Sequence, residues 1–238
     1  MSTTKPGPRV QRVLWLAVGL LTLIGVAVVV RRTALLVPVL RDGYQPHAAT
    51  AAPTAALDDI FARYPLLTLI HIIPGLLFMS LWPLQFSATL RRRSLRWHRW
   101  SGRVAVVCGL IIGVSALVMS VGMPAIGGVN QAVSTLVFGV FFLVALGKAF
   151  RHIRRHEIAL HREWMIRAFS IGLAVATIRP IIGMFFATSR VSGLTPSEFF
   201  GLAFWIGFTL HLIAAEAWIR WTRPKMAAGQ PARQPLRG

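Results

Sequence analysis

The chain has 238 residues and a formal charge of +19, yet only 14% of it is charged and 55% is hydrophobic, with a mean hydropathy of +0.62. That balance excludes a soluble nucleic-acid binder: the basic residues sit in short connections between long apolar runs, where they set orientation and attract anionic lipid headgroups. The single cysteine, Cys108, lies inside an apolar run, which excludes an intrachain disulfide and a thiolate metal cluster.

Residues 1–11 form a basic flank and the expected cytoplasmic N-terminus. The first span is predicted at 12–30, free of charge from Val13 to Val30 and ending at Arg31-Arg32. It is longer than the apolar core of a cleaved signal peptide, so it reads as retained. An external loop, rich in Ala and Pro, runs on to residue 64. A short amphipathic helix is expected in it near LDDIFARY.

The membrane core is predicted over 65–222, with spans at 65–88, 101–122, 130–150, 164–187 and 199–220. Each is near the ~20 apolar residues needed to cross the hydrocarbon core. Pro74 and Pro83 fall in the second span and Pro180 in the fifth, as kinks that neighbouring helices must accommodate. The tail, 223–238, reads as disordered and cytoplasmic.

The fold expected is therefore all-α, a polytopic bundle of six transmembrane helices. Of the 26 Lys and Arg, 20 fall on the side of the two termini. The positive-inside rule makes that side cytoplasmic, in a multi-pass protein of the cell inner membrane.

Ionisable groups inside a membrane are costly, so each is a functional candidate. At about 1.5 Å per helical residue they sort into layers. The inner layer holds Gln85, His98, Arg99, His161, Arg162 and Glu216, with both histidines just before their helices. The outer layer holds His71 and Arg179, with His211 between the two. WHRWSGR (97–103) and HREWMIR (161–167) echo each other, each with an Arg three residues after its Trp, which points to duplicated hairpins.

Neutral imidazole is a good axial ligand for haem iron. His98 and His161 could hold a b-type haem, with Arg99 or Arg162 meeting its propionates. They could equally be interfacial residues bonded to helix ends, lipid phosphate or Glu216. His71 and Arg179 could bind an anionic or quinone-like group, and with His211 could line the pocket of a ligand or ion carrier. A third reading is an accessory subunit whose basic face docks lipid or a partner. No HExxH, P-loop or GxSxG pattern occurs, and no carboxylate pair lies within the spans. No catalytic residue is therefore assigned.

The run HIIPGLLFMSLWPLQF, then LRWHRWSGRV, then ALHREWMIRAFSI with IRP following, then WIGFTLHLIAAEAWI, resembles the bacterial membrane family called domain of unknown function 2306. The resemblance covers about residues 65–220 and implies a multi-pass membrane domain without a particular activity. Its motif positions here are His71, Gln85, His98, Arg99, Gly102, His161, Arg162, Trp164, Arg167, Arg179 and Glu216. The span order is also similar to the cytochrome b561 arrangement, which implies haems held by histidines of paired helices. Here His98 and His161 match an inner pair, whereas His71 faces Asn130 and Gln131 where an outer partner would stand.

Overall fold

The computed structural model describes residues 7–45 and 54–223. Among them there is no strand, and six helices are long and apolar enough to cross a membrane. In chain order the helices are α1 (Pro8–Asp42), α2 (Ala55–Arg63), α3 (Pro65–Phe86), α4 (Ala88–Arg93), α5 (Leu95–Gly122), α6 (Gly128–Arg154), α7 (Ile158–Ser192) and α8 (Pro196–Thr222). The expectation of disorder for the tail, and the Ala/Pro-rich stretch 46–53, lie outside the described residues.

Local chemistry sets the boundaries. Pro65 and Pro196 occupy first turns, where a missing N–H costs nothing. Thr195 and Glu198 form a reciprocal capping box at the start of α8. Gly193, at φ 70°, ends α7 in the left-handed conformation that favours glycine. Pro74 and Pro83 lie inside α3, which stays continuous.

Three sequence expectations need correction. α1 does not stop at residue 30 but continues as one helix to Asp42, so Arg31 and Arg32 lie within it. The apolar residues Leu35, Leu36 and Val37 after the arginine pair allow the helix to persist. Ser94 accepts a hydrogen bond from the Trp97 amide at 3.3 Å and starts α5 six residues earlier than expected. α7 likewise starts at Ile158, so His98 and His161 are in the first turns of their helices rather than before them.

α3 packs on α5, α5 on α6 and α6 on α7, and α3 makes a light contact back to α7. These four helices form a ring with α5 and α7 on one diagonal. α1 packs against α3 and α7 and covers the seam between them, while α8 packs against α7 and α6. The outer surfaces are apolar, as lipid-facing surfaces must be: Leu66, Val121 and Ile213 are all exposed.

The centre of the ring is filled by α3. The Phe78 ring, 4% exposed, lies edge-on to Phe142 at 5.8 Å and stacks with Phe169 at 6.3 Å. It reaches across the diagonal because α5 and α7 present glycines there. A Cβ on Gly109 would lie 3.3 Å from the Phe78 ring, and one on Gly172 would lie 3.0 Å from it. Towards the basic end Trp82 stacks on Phe169 with centroids 3.1 Å apart. Small residues opposite large ones are how membrane helices gain packing energy without a hydrophobic effect between them.

Candidate functional site

Polar side chains gather at two levels. The level nearest the described N-terminal and C-terminal helix ends carries most of the arginines and is the basic end. There α8 is clipped to α7. Arg167 donates to both carboxylate oxygens of Glu216, at 2.5 and 3.0 Å. Arg223 does the same to Glu163, at 2.8 and 2.7 Å, and Arg162 donates to Thr222 at 2.9 Å. Arg167 and Lys148 also lie over the Trp164 ring, at 4.6 and 4.3 Å. Two members of the expected inner layer, Arg162 and Glu216, thus have partners of their own.

Gln85 donates to Ser101 at 2.6 Å, tying α3 to α5 where Gly102 lets the amide approach. Arg99 is exposed and has no side-chain hydrogen bond among the described residues. His161 Nδ1 lies 2.9 Å from the Ala149 carbonyl, at the end of α6. A carbonyl only accepts, so Nδ1 carries the proton and Nε2 keeps the lone pair. His98 Nδ1 is buried without a hydrogen-bond partner, and His161 lies within electrostatic range of it. The two histidines share a level at opposite corners of the ring.

The second level lies in the other half of the bundle. Ser115 donates to the Ile111 carbonyl at 2.6 Å, so His71 Nδ1, 2.9 Å from the Ser115 oxygen, must be the donor. Its Nε2 is then an acceptor. Arg179 is within electrostatic range of His71, of Arg32 on α1 and of Asp58 on α2. Its Nε is buried with no hydrogen-bond partner, and among the described residues its guanidinium makes no hydrogen bond at all. Arg32 is 6% exposed and donates to Asp58 at 2.5 Å; Arg31 donates to the other carboxylate oxygen at 2.7 Å. Burial alone would push the Asp58 carboxyl up, but the Arg31 hydrogen bond and the charges of Arg32 and Arg31 outweigh it and hold it below its ordinary value.

His211 does not join this level's cluster. Its Nε2 lies 2.7 Å from the Thr177 hydroxyl. Thr177 and Arg179 are two residues apart, about 200° around the helix, so α7 stands between His211 and the arginine. The expected trio of His71, Arg179 and His211 around one pocket is therefore split by a helix. Arg32 and Asp58 escaped sequence reasoning because the first span was ended at Arg31-Arg32, and an external loop gave no reason to place an acid against them. The apolar continuation beyond the arginine pair was the available signal.

Six helices long and apolar enough to cross a membrane, packed around one core, define a polytopic helical membrane protein. Residues 68–219 match the family model described as "Predicted membrane protein (DUF2306)", and the chain belongs to that family. The match runs from α3 to α8; α1 and α2, which bring Arg32 and Asp58, lie outside it. No curated protein and no solved structure matches the chain. The likeness to cytochrome b561 proteins therefore rests on span order alone.

Proposed function

We propose that the protein is a membrane-embedded binding or carrier protein for a small ligand with an anionic or quinone-like head, held at the Arg179–His71 level. One observation carries this: a guanidinium inside a membrane span that, among the described residues, has no hydrogen bond, and whose Nε is buried. An arginine at the centre of a membrane helix costs ~2.5–3.5 kcal/mol or more, and partners or water are what offset it. Arg167, within α7 towards its basic end, follows that rule, with both oxygens of Glu216 as partners. Arg179 breaks it, and a ligand oxygen supplies what the chain does not. His71 stands at the same level, but its proton is committed to Ser115 and its Nε2 only accepts, so Arg179 is the donor to the ligand oxygen. The basic end is cytoplasmic, in the inner membrane, where its arginines also meet anionic lipid headgroups.

The test is retention of dodecanoate, an anionic amphiphile, by the purified protein in native mass spectrometry, with dodecanol as the neutral control. Retention of dodecanoate alone, lost in Arg179→Met, supports the reading. Equal retention of both by the natural protein and the variant contradicts it.

The orphaned His98 Nδ1 favours a second reading. His161, with its Nε2 lone pair free and its Nδ1–H fixed by a backbone carbonyl, has the tautomer of an axial ligand, and His98 shares its level. His98 and His161 would be the residues to hold a b-type haem there, with Arg99 beside its propionates. Bound there, such a group would supply one-electron chemistry. Trp82 and Phe169 fill the ring next to this level, so the group would sit at the end of the bundle. An absorption spectrum tests this: a Soret band lost in His161→Ala supports it, and a colourless, folded protein after haem supplementation excludes it.

A further inference from the structure

The cluster around Arg179 carries more charge than one carboxylate answers. Arg31, Arg32 and Arg179 bring three positive charges, and among the described residues Asp58 is the carboxylate that acts on Arg179. Asp58 is shared: Arg31 donates to both of its oxygens, and Arg32 donates to one of the same two. With His71 neutral as a hydrogen-bond donor to Ser115, the cluster keeps a net charge of about +2. That surplus sits where α1 covers the seam between α3 and α7, beside lipid.

Resting on the anion-binding reading above, the geometry points to a phosphate-monoester head as the ligand, taken jointly by Arg179 and Arg32 while Arg31 keeps Asp58. A dianion answers the two surplus charges; a carboxylate answers one. Two guanidinium forks from two helices match the several oxygens of a phosphate, where each fork can bond bidentately. Asp58 is then the counter-ion that the chain itself supplies to the two arginines of α1. It is carried on α2, a nine-residue helix docked onto Arg32 three times over. Besides the carboxylate contact, Arg32 donates to the Leu57 carbonyl at 3.5 Å and lies over the Phe61 ring at 4.3 Å. A phosphate that draws Arg32 away loosens α2, so ligand binding and the position of this small helix are coupled.

The head could come from a phosphomonoester lipid or from free phosphate, which share this chemistry. The experiment measures affinities of the detergent-purified full chain for dodecyl phosphate, dodecanoate and inorganic phosphate at pH 8, where the monoester is a dianion. Dodecyl phosphate is expected to bind about tenfold more tightly than dodecanoate, since charge-assisted bidentate contacts carry the difference. Arg32→Gln abolishes that preference but leaves Arg179-dependent dodecanoate binding in place. Arg32→Lys, which keeps the charge without the fork, restores part of it, and Asp58→Asn strengthens phosphate binding by removing the competitor. Competition by millimolar inorganic phosphate identifies a soluble source; dodecyl phosphate binding that inorganic phosphate does not compete identifies a lipid. Equal affinity for the two amphiphiles, or equal loss of both in Arg32→Gln, overturns the phosphate inference and leaves the anion-binding reading standing. Binding of neither overturns both.

Discussion

Arg167 on α7 and Glu216 on α8 form a two-point ion pair, at 2.5 and 3.0 Å, at the basic end of the bundle. It spans 49 residues of sequence and is one of several polar ties between α7 and α8, with Arg162–Thr222 and Thr177–His211. The arginine is the less exposed partner, with 13% of its side chain accessible against 34% for the glutamate. Arg167→Met leaves a carboxylate in an apolar setting, so each single loss is expected to cost about 1.5–3 kcal/mol. The double variant Arg167→Met/Glu216→Leu should cost clearly less than the two singles together. A double-mutant cycle of unfolding in detergent reads this, and additive losses would show that the pair is not coupled.

Phe78 predicts a packing cost. Phe78→Ala empties the middle of the ring and should destabilise by about 3–5 kcal/mol. Gly109→Ala tests the opposite fault, because its Cβ would come within 2.7 Å of Leu146 and 3.3 Å of Phe78. Overpacking of that kind costs about 1–3 kcal/mol. A Gly109→Ala variant with an unchanged unfolding midpoint would mean that α5 can move away from α3 freely.

The docking of α2 should depend on acid pH. The Asp58 carboxyl is held below its ordinary value of 3.8 by Arg31 and Arg32, against the effect of burial. The pairing therefore stabilises docked α2 fully above that value and is lost as pH falls through the depressed one. Hydrogen exchange of amides 55–63 should stay slow at neutral pH and accelerate below about pH 4, in step with Asp58→Asn at neutral pH. Protection that is the same in Asp58→Asn as in the natural chain would show that Asp58 does not hold the helix.

Topology gives a further test. With Cys108 replaced by Ala, single cysteines at Ser94 and Ser192 report opposite ends of the bundle. Ser192→Cys is expected to react with an impermeant thiol reagent added to intact cells, and Ser94→Cys only after lysis. The reverse pattern would place the basic end outside.

Much of the fold was legible because membrane spans write themselves as long apolar runs, and Pro65, Pro196 and Gly193 punctuate them. α2 was legible from the period of LDDIFARY. The ends were not, because Ser94 as a cap and the residues after Arg32 extend helices past the point where charge begins. Of the candidate site, sequence gave His71 and Arg179 as one level, and the structure brings them within electrostatic range. It could not show that His211 lies across α7, since a two-residue offset on a helix reverses the face only once the neighbours are known. Arg32 and Asp58 stayed hidden for a related reason: the partner of a buried arginine lies 26 residues away, on a separate helix.

The central claim is that Arg179 is kept for a ligand and not for the fold. Thermal unfolding of the natural chain and of Arg179→Met, each with and without dodecanoate, tests it most directly. Without ligand, removing a charge that lacks a partner should leave the midpoint unchanged or raise it, and dodecanoate should then stabilise only the natural chain. An Arg179→Met variant that is less stable without ligand, and that dodecanoate stabilises as much as the natural chain, would contradict the account.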